Sequence, residues 1–322
     1  MNVVLKSDFL AFPPLRGPHA QTIWAAKFRS KPLLKNIEWE KIELPDGDFI
    51  DLVWMKKSGR PTIVILHGLE GSYQSSTYVK CLMQQLEKRN LQSVLIHFRG
   101  CGQEINRLPR SYHAGDTQDL DLSIQHIKNK IFTPPFAIIG YSLGGNVLLK
   151  WLAEKQPKYL KTAVAVSVPF DLSASADHLS QGLSRVYQRY LLKSMRSKFL
   201  KKTSRLGAFL SVENINSLNS FRLFDAAITA PLHGFSSVTE YYEKASCFPI
   251  LPEISTDTLI IHAHDDPFLP PTAIPKNKNI SSSTTLEITP HGGHVGFIGT
   301  SKSGTIQYWL EDRIIAHIES FL

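Results

Sequence analysis

The sequence predicts an α/β fold: a mostly parallel central sheet with helices on both faces and a helical cap inserted late in the chain. Three observations lead there. From Pro61 onward, short apolar runs alternate with segments whose apolar residues recur at helical spacing, and that alternation builds parallel β-α units. One apolar run, over 136–141, passes through Gly-x-Ser-x-Gly at 140–144 straight into a helical pattern. The alternation breaks at Pro169 and resumes only at Thr258, a gap too long for a structureless loop, and its helical patterning predicts a cap over the carboxyl ends of the strands.

The 322 residues, 43% hydrophobic and 20% charged, suit one large domain with an inserted subdomain. The expected division is an irregular N-terminal arm over 1–36, a core over 37–169 and 257–322, and the cap over 170–256. Cys81, Cys101 and Cys247 stand far apart with no Cys-x-x-Cys, which predicts a reduced, cytoplasmic protein without disulfides. The opening stretch is charged at Lys6 and Asp8 and runs into Pro13 and Pro14, unlike a signal peptide, and no apolar run reaches membrane-spanning length. The net charge of +8 is spread along the chain rather than gathered in a tail, so nucleic acid is not an expected partner. The oligomeric state is left open.

Taken in order, residues 1–36 are rich in proline and polar groups, with Phe9, Phe12, Leu15, Ile23 and Trp24 as scattered apolar anchors. Residues 38–44 and 49–55 flank the turn residues Pro45, Asp46, Gly47 and Asp48 and predict an antiparallel hairpin at a sheet edge. The run 61–66 is continuously apolar, as a strand buried on both faces requires. Helices are expected over 77–89, 116–130 and 146–154, and strands over 93–98, 136–141 and 162–168. Beyond the cap come strands at 258–261 and 285–288 and a terminal helix near 305–321.

The glycines around Ser142 have a physical reason. A nucleophile at a sharp strand-to-helix turn adopts strained dihedrals among close backbones, where a β-carbon at 140 or 144 would clash. The following helix aims its first free N–H groups at the serine, where an oxyanion would form. A serine also needs a base, and the base an acid that fixes its tautomer. The strand at 258–261 leads into a loop offering Asp265 and Asp266, and the strand at 285–288 into one offering His291 and His294. His294 is preferred because glycines flank it and let its ring approach the serine, while His291 reads as an exposed turn residue. Position alone does not separate the two aspartates, and the unused one reads as a helix or turn cap. The expected oxyanion donors are the N–H of Leu143 and, from the loop after the strand at 61–66, the N–H of Leu69.

Across most of its length the chain resembles the YheT-like branch of the α/β-hydrolases, which also includes eukaryotic membrane-associated lipases and acyltransferase-like enzymes. The matching stretches begin at His67-Gly-Leu-Glu-Gly-Ser, Phe98-Arg-Gly-Cys-Gly-Gln, Asn106-Arg-Leu-Pro-Arg-Ser and Gly140-Tyr-Ser-Leu-Gly-Gly-Asn. They continue in the cap at Tyr187-Gln-Arg-Tyr and Phe224-Asp-Ala-Ala, and beyond it at His264-Asp-Asp-Pro-Phe and Gly292-Gly-His-Val-Gly-Phe. The resemblance implies the α/β-hydrolase fold and a carboxylic ester hydrolase with the triad Ser142, Asp266 and His294. It favours Asp266 because the tail from Pro267 to Pro270 is similar to the Asp-Pro-x-x-Pro ending of the acid loop in related hydrolases. The eukaryotic relatives carry an amino-terminal membrane anchor that this sequence lacks, so membrane attachment is not expected to transfer.

Other features have plainer readings. Arg107, Arg110 and His113 could meet a phosphate-bearing substrate, but arginines bonding loop carbonyls are expected. Cys101, between glycines with no elbow helix after it, reads as a small buried thiol. No cofactor or metal is expected: His262, His264 and Asp266 are spaced like a ligand run, but Asp266 serves the triad. Residues 181–205 hold eight Lys or Arg and no acid. Arg185, Arg189, Lys193 and Arg196 fall on one helical face and Leu183, Val186, Tyr187 and Tyr190 opposite, which predicts a solvated face over a cap core, the sharper alternative being peripheral contact with an anionic membrane surface. The expected partner is a small-molecule or lipid ester. The alternatives to hydrolysis are an acyltransferase using the same acyl-enzyme, or a non-catalytic protein binding partners through its cap.

Overall fold

The computed structural model of the chain describes residues 3–131, 135–207, 209, 210, 212 and 214–322. Its elements run β1 (Val3–Lys6), α1 (Pro18–Lys27), β2 (Ile37–Glu43), β3 (Phe49–Met55), β4 (Thr62–Leu66), α2 (Thr77–Lys88), β5 (Gln92–Ile96), α3 (Thr117–Lys130), β6 (Ala137–Tyr141), α4 (Leu143–Lys155) and β7 (Thr162–Val166). Then come α5 (Leu172–Leu179), α6 (Ser184–Leu206), α7 (Phe221–Phe224), a π-helical turn (Asp225–Thr229), α8 (Ala230–Leu232) and α9 (Val238–Ala245). The chain ends with β8 (Thr258–Ala263), β9 (Thr284–Thr289), β10 (Ile298–Thr300), β11 (Ile306–Tyr308) and α10 (Trp309–Glu319). Among these residues no helix is long and apolar enough to cross a membrane.

Nine strands form one sheet in the order β1-β9-β8-β7-β6-β4-β5-β3-β2. Among the described residues, the antiparallel pairs of this sheet are β2–β3 and β3–β5, so the hairpin sits at the edge its turn predicted. The central strands are buried throughout, and their side chains alternate between two cores. Ile63 and Ile65 join Leu82 of α2 and Ile314 of α10 on one face. Val64 and Leu66 join Leu120 of α3 and Leu148 of α4 on the other.

The irregular arm expected over 1–36 is corrected. Met1 and Asn2 lie outside the described residues, but β1 pairs in parallel with β9 at the sheet edge and α1 is a regular helix. Pro18 stands at the first helical position, where its missing N–H costs nothing, so a proline-rich stretch that reads as loop starts a helix.

Everything from α5 to α9 leaves the sheet after β7 and returns before β8. Buried Asn146 helps to strap this excursion to the core: it donates from Nδ2 to Ala114 O and Ala245 O, both at 2.8 Å, and accepts from Cys247 N at 3.0 Å. The reading of α6 also needs correction. Leu183, Val186 and Tyr190 are 67%, 59% and 66% exposed, on the solvent side with Arg185 and Arg189. The buried stripe is Ser184, Gln188, Leu192, Phe199 and Lys202. Its polar members can be buried because each has a partner: Ser184 Oγ donates to Pro267 O at 2.7 Å, and Gln188 Oε1 accepts from Phe221 N at 3.0 Å.

Candidate active site

Ser142 stands between β6 and α4 with φ 51° and ψ −120°, dihedrals that cost a non-glycine residue strain. The turn is held by Ser142 N donating to Val166 O at 2.8 Å, and it closes only because of its glycines. A β-carbon at Gly140 would lie 2.5 Å from Gly144 O, and one at Gly144 would lie 2.4 Å from His67 O.

The loops after β8 and β9 bring two side chains to this serine. His294 Nε2 lies 2.9 Å from Ser142 Oγ, and His294 Nδ1 lies 2.9 Å and 3.1 Å from the two carboxylate oxygens of Asp266. With Nδ1–H donating to the carboxylate, Nε2 keeps its lone pair toward the hydroxyl. Asp266 is itself fixed, since Oδ1 accepts from Phe268 N at 2.8 Å and the side chain is 1% exposed. Backbone contacts set the histidine loop as well: His294 N donates to Thr22 Oγ1 of α1 at 2.9 Å, and Val295 N to Ser167 Oγ at 3.0 Å.

Asp265 and His291 form a separate pair. Asp265 Oδ1 accepts from Gly293 N at 2.9 Å, and its Oδ2 lies 3.3 Å from His291 Nδ1. Arg16 Nε donates to His291 Nε2 at 2.8 Å, which leaves His291 Nδ1 as the donor to Asp265. His291 is therefore bonded on both ring nitrogens rather than a free turn residue. His262, the third polar group near the carboxylate, is fully buried, and burial lowers its pKa to about 4; it is a neutral ring 4.0 Å from Asp266 Oδ2. Among the described residues no three His, Cys, Asp or Glu side chains converge as a metal site requires.

The loop after β4 faces the serine. Gly68 N donates to Tyr78 Oη and Glu70 N to Tyr112 Oη, each at 2.9 Å. The N–H of Leu69 between them donates to no group of the described residues, and neither does that of Leu143 at the start of α4. Two phenols thus occupy the flanking donors and leave the middle one open. His67, buried beneath, has its pKa lowered to about 3 by burial and the nearby His97, so the loop rests on a neutral ring that accepts from Phe98 N.

Ser142, Leu69 and Leu143 lie in the wall of a largely apolar pocket that is open to solvent. Leu179, Leu191, Met195, Phe221 and Ile228 from the excursion make the opposite wall. The arginines of the loop after β5 do not reach this space with free groups. Arg107 Nη2 pairs with Glu43 at 2.8 Å and Arg110 Nη2 with Asp116 at 3.0 Å. Arg99 is paired with Asp119, Asp46 and Asp48. The expected partners for such arginines were carbonyls; the structure gives them chiefly carboxylates. Sequence reading missed Tyr78 and Tyr112, whose spacing from the loop they hold carries no signal, and Asn146.

The profile of the alpha/beta hydrolase fold family matches residues 61–299. The chain is similar to the protein named "Putative esterase YheT" of Escherichia coli (strain K12), at 40% identity over 98% of this chain and 95% of that one. It is similar to Phospholipase ABHD3 of Bos taurus at 30% identity over 86% of this chain and 70% of that one. Among solved structures, the alpha/beta hydrolase GrgF from Penicillium sp. sh18 superposes with a TM-score of 0.60 at 16% identity, covering 88% of this chain and 98% of that one, a likeness that speaks for the fold.

Proposed function

This chain belongs to the α/β-hydrolase family, in its YheT-like branch, and on that premise we propose that it is a serine carboxylic ester hydrolase working through an acyl-enzyme on Ser142. It is an esterase- or lipase-like hydrolase by its relatives. The observation that carries the finer reading is the unbroken line from Ser142 Oγ through His294 to Asp266, set beside two backbone N–H groups that have no acceptor among the described residues, in the wall of an apolar pocket.

The chemistry follows from those positions. Ser142 Oγ attacks the acyl carbon while its proton passes to His294 Nε2, and Asp266 stabilises the resulting imidazolium. The carbonyl oxygen, now an oxyanion, accepts from Leu69 N and Leu143 N. Collapse breaks the ester C–O bond, and the proton on Nε2 leaves with the alcohol. Water then attacks the acyl-enzyme, giving its proton to Nε2, and the second collapse frees the carboxylic acid and returns that proton to Ser142. Residues 170–256 act as the cap that walls the acyl chain off from water. On the exposed face of α1 and α6, Leu183, Val186, Tyr190 and Phe28 stand among Lys and Arg side chains, a mixture suited to an anionic lipid surface.

The test is a panel of chromogenic esters of increasing acyl length, run with a fluorophosphonate probe. The wild type should hydrolyse esters and take the label, and Ser142→Ala should do neither. Persistent labelling of the variant, or a wild type that takes no label, sinks the assignment.

A further inference from the structure

Glu70 occupies a place the ester-hydrolase mechanism does not by itself require. It follows Leu69, its backbone is left-handed at φ 57°, and its carboxylate is 6% exposed. Both features are costly for a glutamate. What offsets them comes from two directions. From the core, Tyr112 Oη donates to Glu70 Oε1 at 2.9 Å while accepting from Glu70 N. From α6, Ser194 Oγ donates to Glu70 Oε2 at 2.5 Å and Lys198 Nζ to Glu70 Oε1 at 3.0 Å.

Resting on the reading above, we propose that Glu70 is a positioning residue through which α6 holds the Leu69 N–H in place for the oxyanion. The carboxylate is gripped by the excursion and the N–H of the same residue by Tyr112, while Gly71 N donates at 3.0 Å to Gly68 O, the carbonyl of the Gly68–Leu69 peptide that carries the Leu69 N–H, so turning Glu70 disturbs the turn that sets this peptide. Lys198 lies inside the pocket wall, where it meets Glu70 and, at 3.0 Å, Cys101 Sγ. Burial opposes its charge, but the two partners outweigh burial and keep the ammonium protonated. Removing either end leaves a buried charge without its counterion, which strains the loop that carries Leu69. The excursion is then part of the catalytic apparatus as well as the wall of the acyl pocket.

The experiment compares wild type, Glu70→Gln, Ser194→Ala and Ser194→Thr on p-nitrophenyl acetate, whose acyl group is too short to need the excursion's apolar wall. Melting temperature and the rate of fluorophosphonate labelling are followed alongside. Glu70→Gln should lower kcat on the order of tenfold with KM little changed, and labelling should slow in parallel. Ser194→Ala should show a smaller loss of the same kind, restored in Ser194→Thr. A Lys198→Met and Glu70→Gln double variant should lose less than the product of the two single losses, because one contact is being removed twice. If kcat stays within about twofold of wild type in all of them, or the loss appears in KM alone, Glu70 merely anchors the helix and the proposal is overturned. If Glu70→Gln or Lys198→Met does not fold, Ser194→Ala decides, since it deletes one hydroxyl from a half-buried position. A wild type that takes no fluorophosphonate fails the ester-hydrolase reading itself, whereas labelled wild type with unaltered variants fails only this one.

Discussion

The ring of Phe268 lies flat on the ring of His294, centroids 3.8 Å apart and planes 2° from parallel. Tyr187 of α6 packs at a tilt of 40°, 5.1 Å from Phe268, and Tyr187 Oη meets His19 Nδ1 of α1 at 3.0 Å. Aromatic surface thus covers one face of the proposed base, while Asp266 fixes its tautomer from the edge. A general base must hold its nitrogen within hydrogen-bond reach of the proton it takes, and this stack limits the ring to one plane.

Phe268→Ala removes the stack but keeps the backbone N–H that serves Asp266 Oδ1. We expect kcat for a short soluble ester to fall on the order of tenfold from misplacement of His294, with Phe268→Tyr close to wild type. An unchanged kcat in Phe268→Ala would show that Asp266 alone orients the ring.

The two adjacent aspartates separate cleanly in a second test. Asp266→Asn retains shape but cannot hold the productive imidazole tautomer, and the expected loss in kcat is on the order of 10⁴-fold. Asp265 bonds Gly293 N and His291 rather than His294, so Asp265→Asn should cost far less. Equal losses would mean that the histidine loop, not the triad acid, is what both carboxylates maintain.

The β-α alternation was legible because buried parallel strands must be continuously apolar, as 62–66 and 137–141 are. The serine was legible because its strained turn demands glycines at fixed offsets. The choice between Asp265 and Asp266 was not a matter of local pattern: both follow β8, and only the loop's path decides which faces His294. The α6 face was misread for a physical reason too. Periodicity assumes that polar residues face water, whereas Gln188 and Lys202 are buried against backbone partners, and the helix is turned to bring them in. The arm was misread because proline at a helix start looks the same as proline in a loop.

Lys202 also makes a pH prediction. Its Nζ donates to Pro109 O, Arg110 O and Ser111 Oγ, and burial lowers its pKa from 10.5 to about 7. The folded value lies below the unfolded one, so between these values the unfolded chain binds more protons, and the residue's contribution to stability rises with pH across that window. Below about 7 the cost of burying the charge is fully present. Compared with wild type by urea unfolding, Lys202→Met should therefore look more favourable at pH 6 than at pH 9. A difference that does not vary with pH would mean that the ammonium stays charged throughout.

The surface over the proposed site gives the last prediction. Four cations of α6 turn inward or bond the core: Arg196 reaches Leu218 O, Lys198 reaches Glu70, Lys202 the loop carbonyls and Arg205 Asn106 O. Among the described residues Arg185, Arg189 and Lys193 have no carboxylate within ion-pair distance, and Lys27 of α1 sits 4.9 Å over the Tyr190 ring. Unpaired cations interleaved with exposed apolar side chains should bind an anionic bilayer, each cation contributing about 1 kcal/mol through a field that salt screens. Arg189→Glu with Lys193→Glu should lose most sedimentation with anionic liposomes while hydrolysing a soluble short-chain ester at the wild-type rate, because neither side chain contacts Ser142 or His294. Leu183→Ser with Val186→Ser should weaken binding even in high salt, where the charges are screened. Wild type that stays in the supernatant at low salt would leave this face as an ordinary solvated surface and restrict the substrate to esters that reach the pocket from solution.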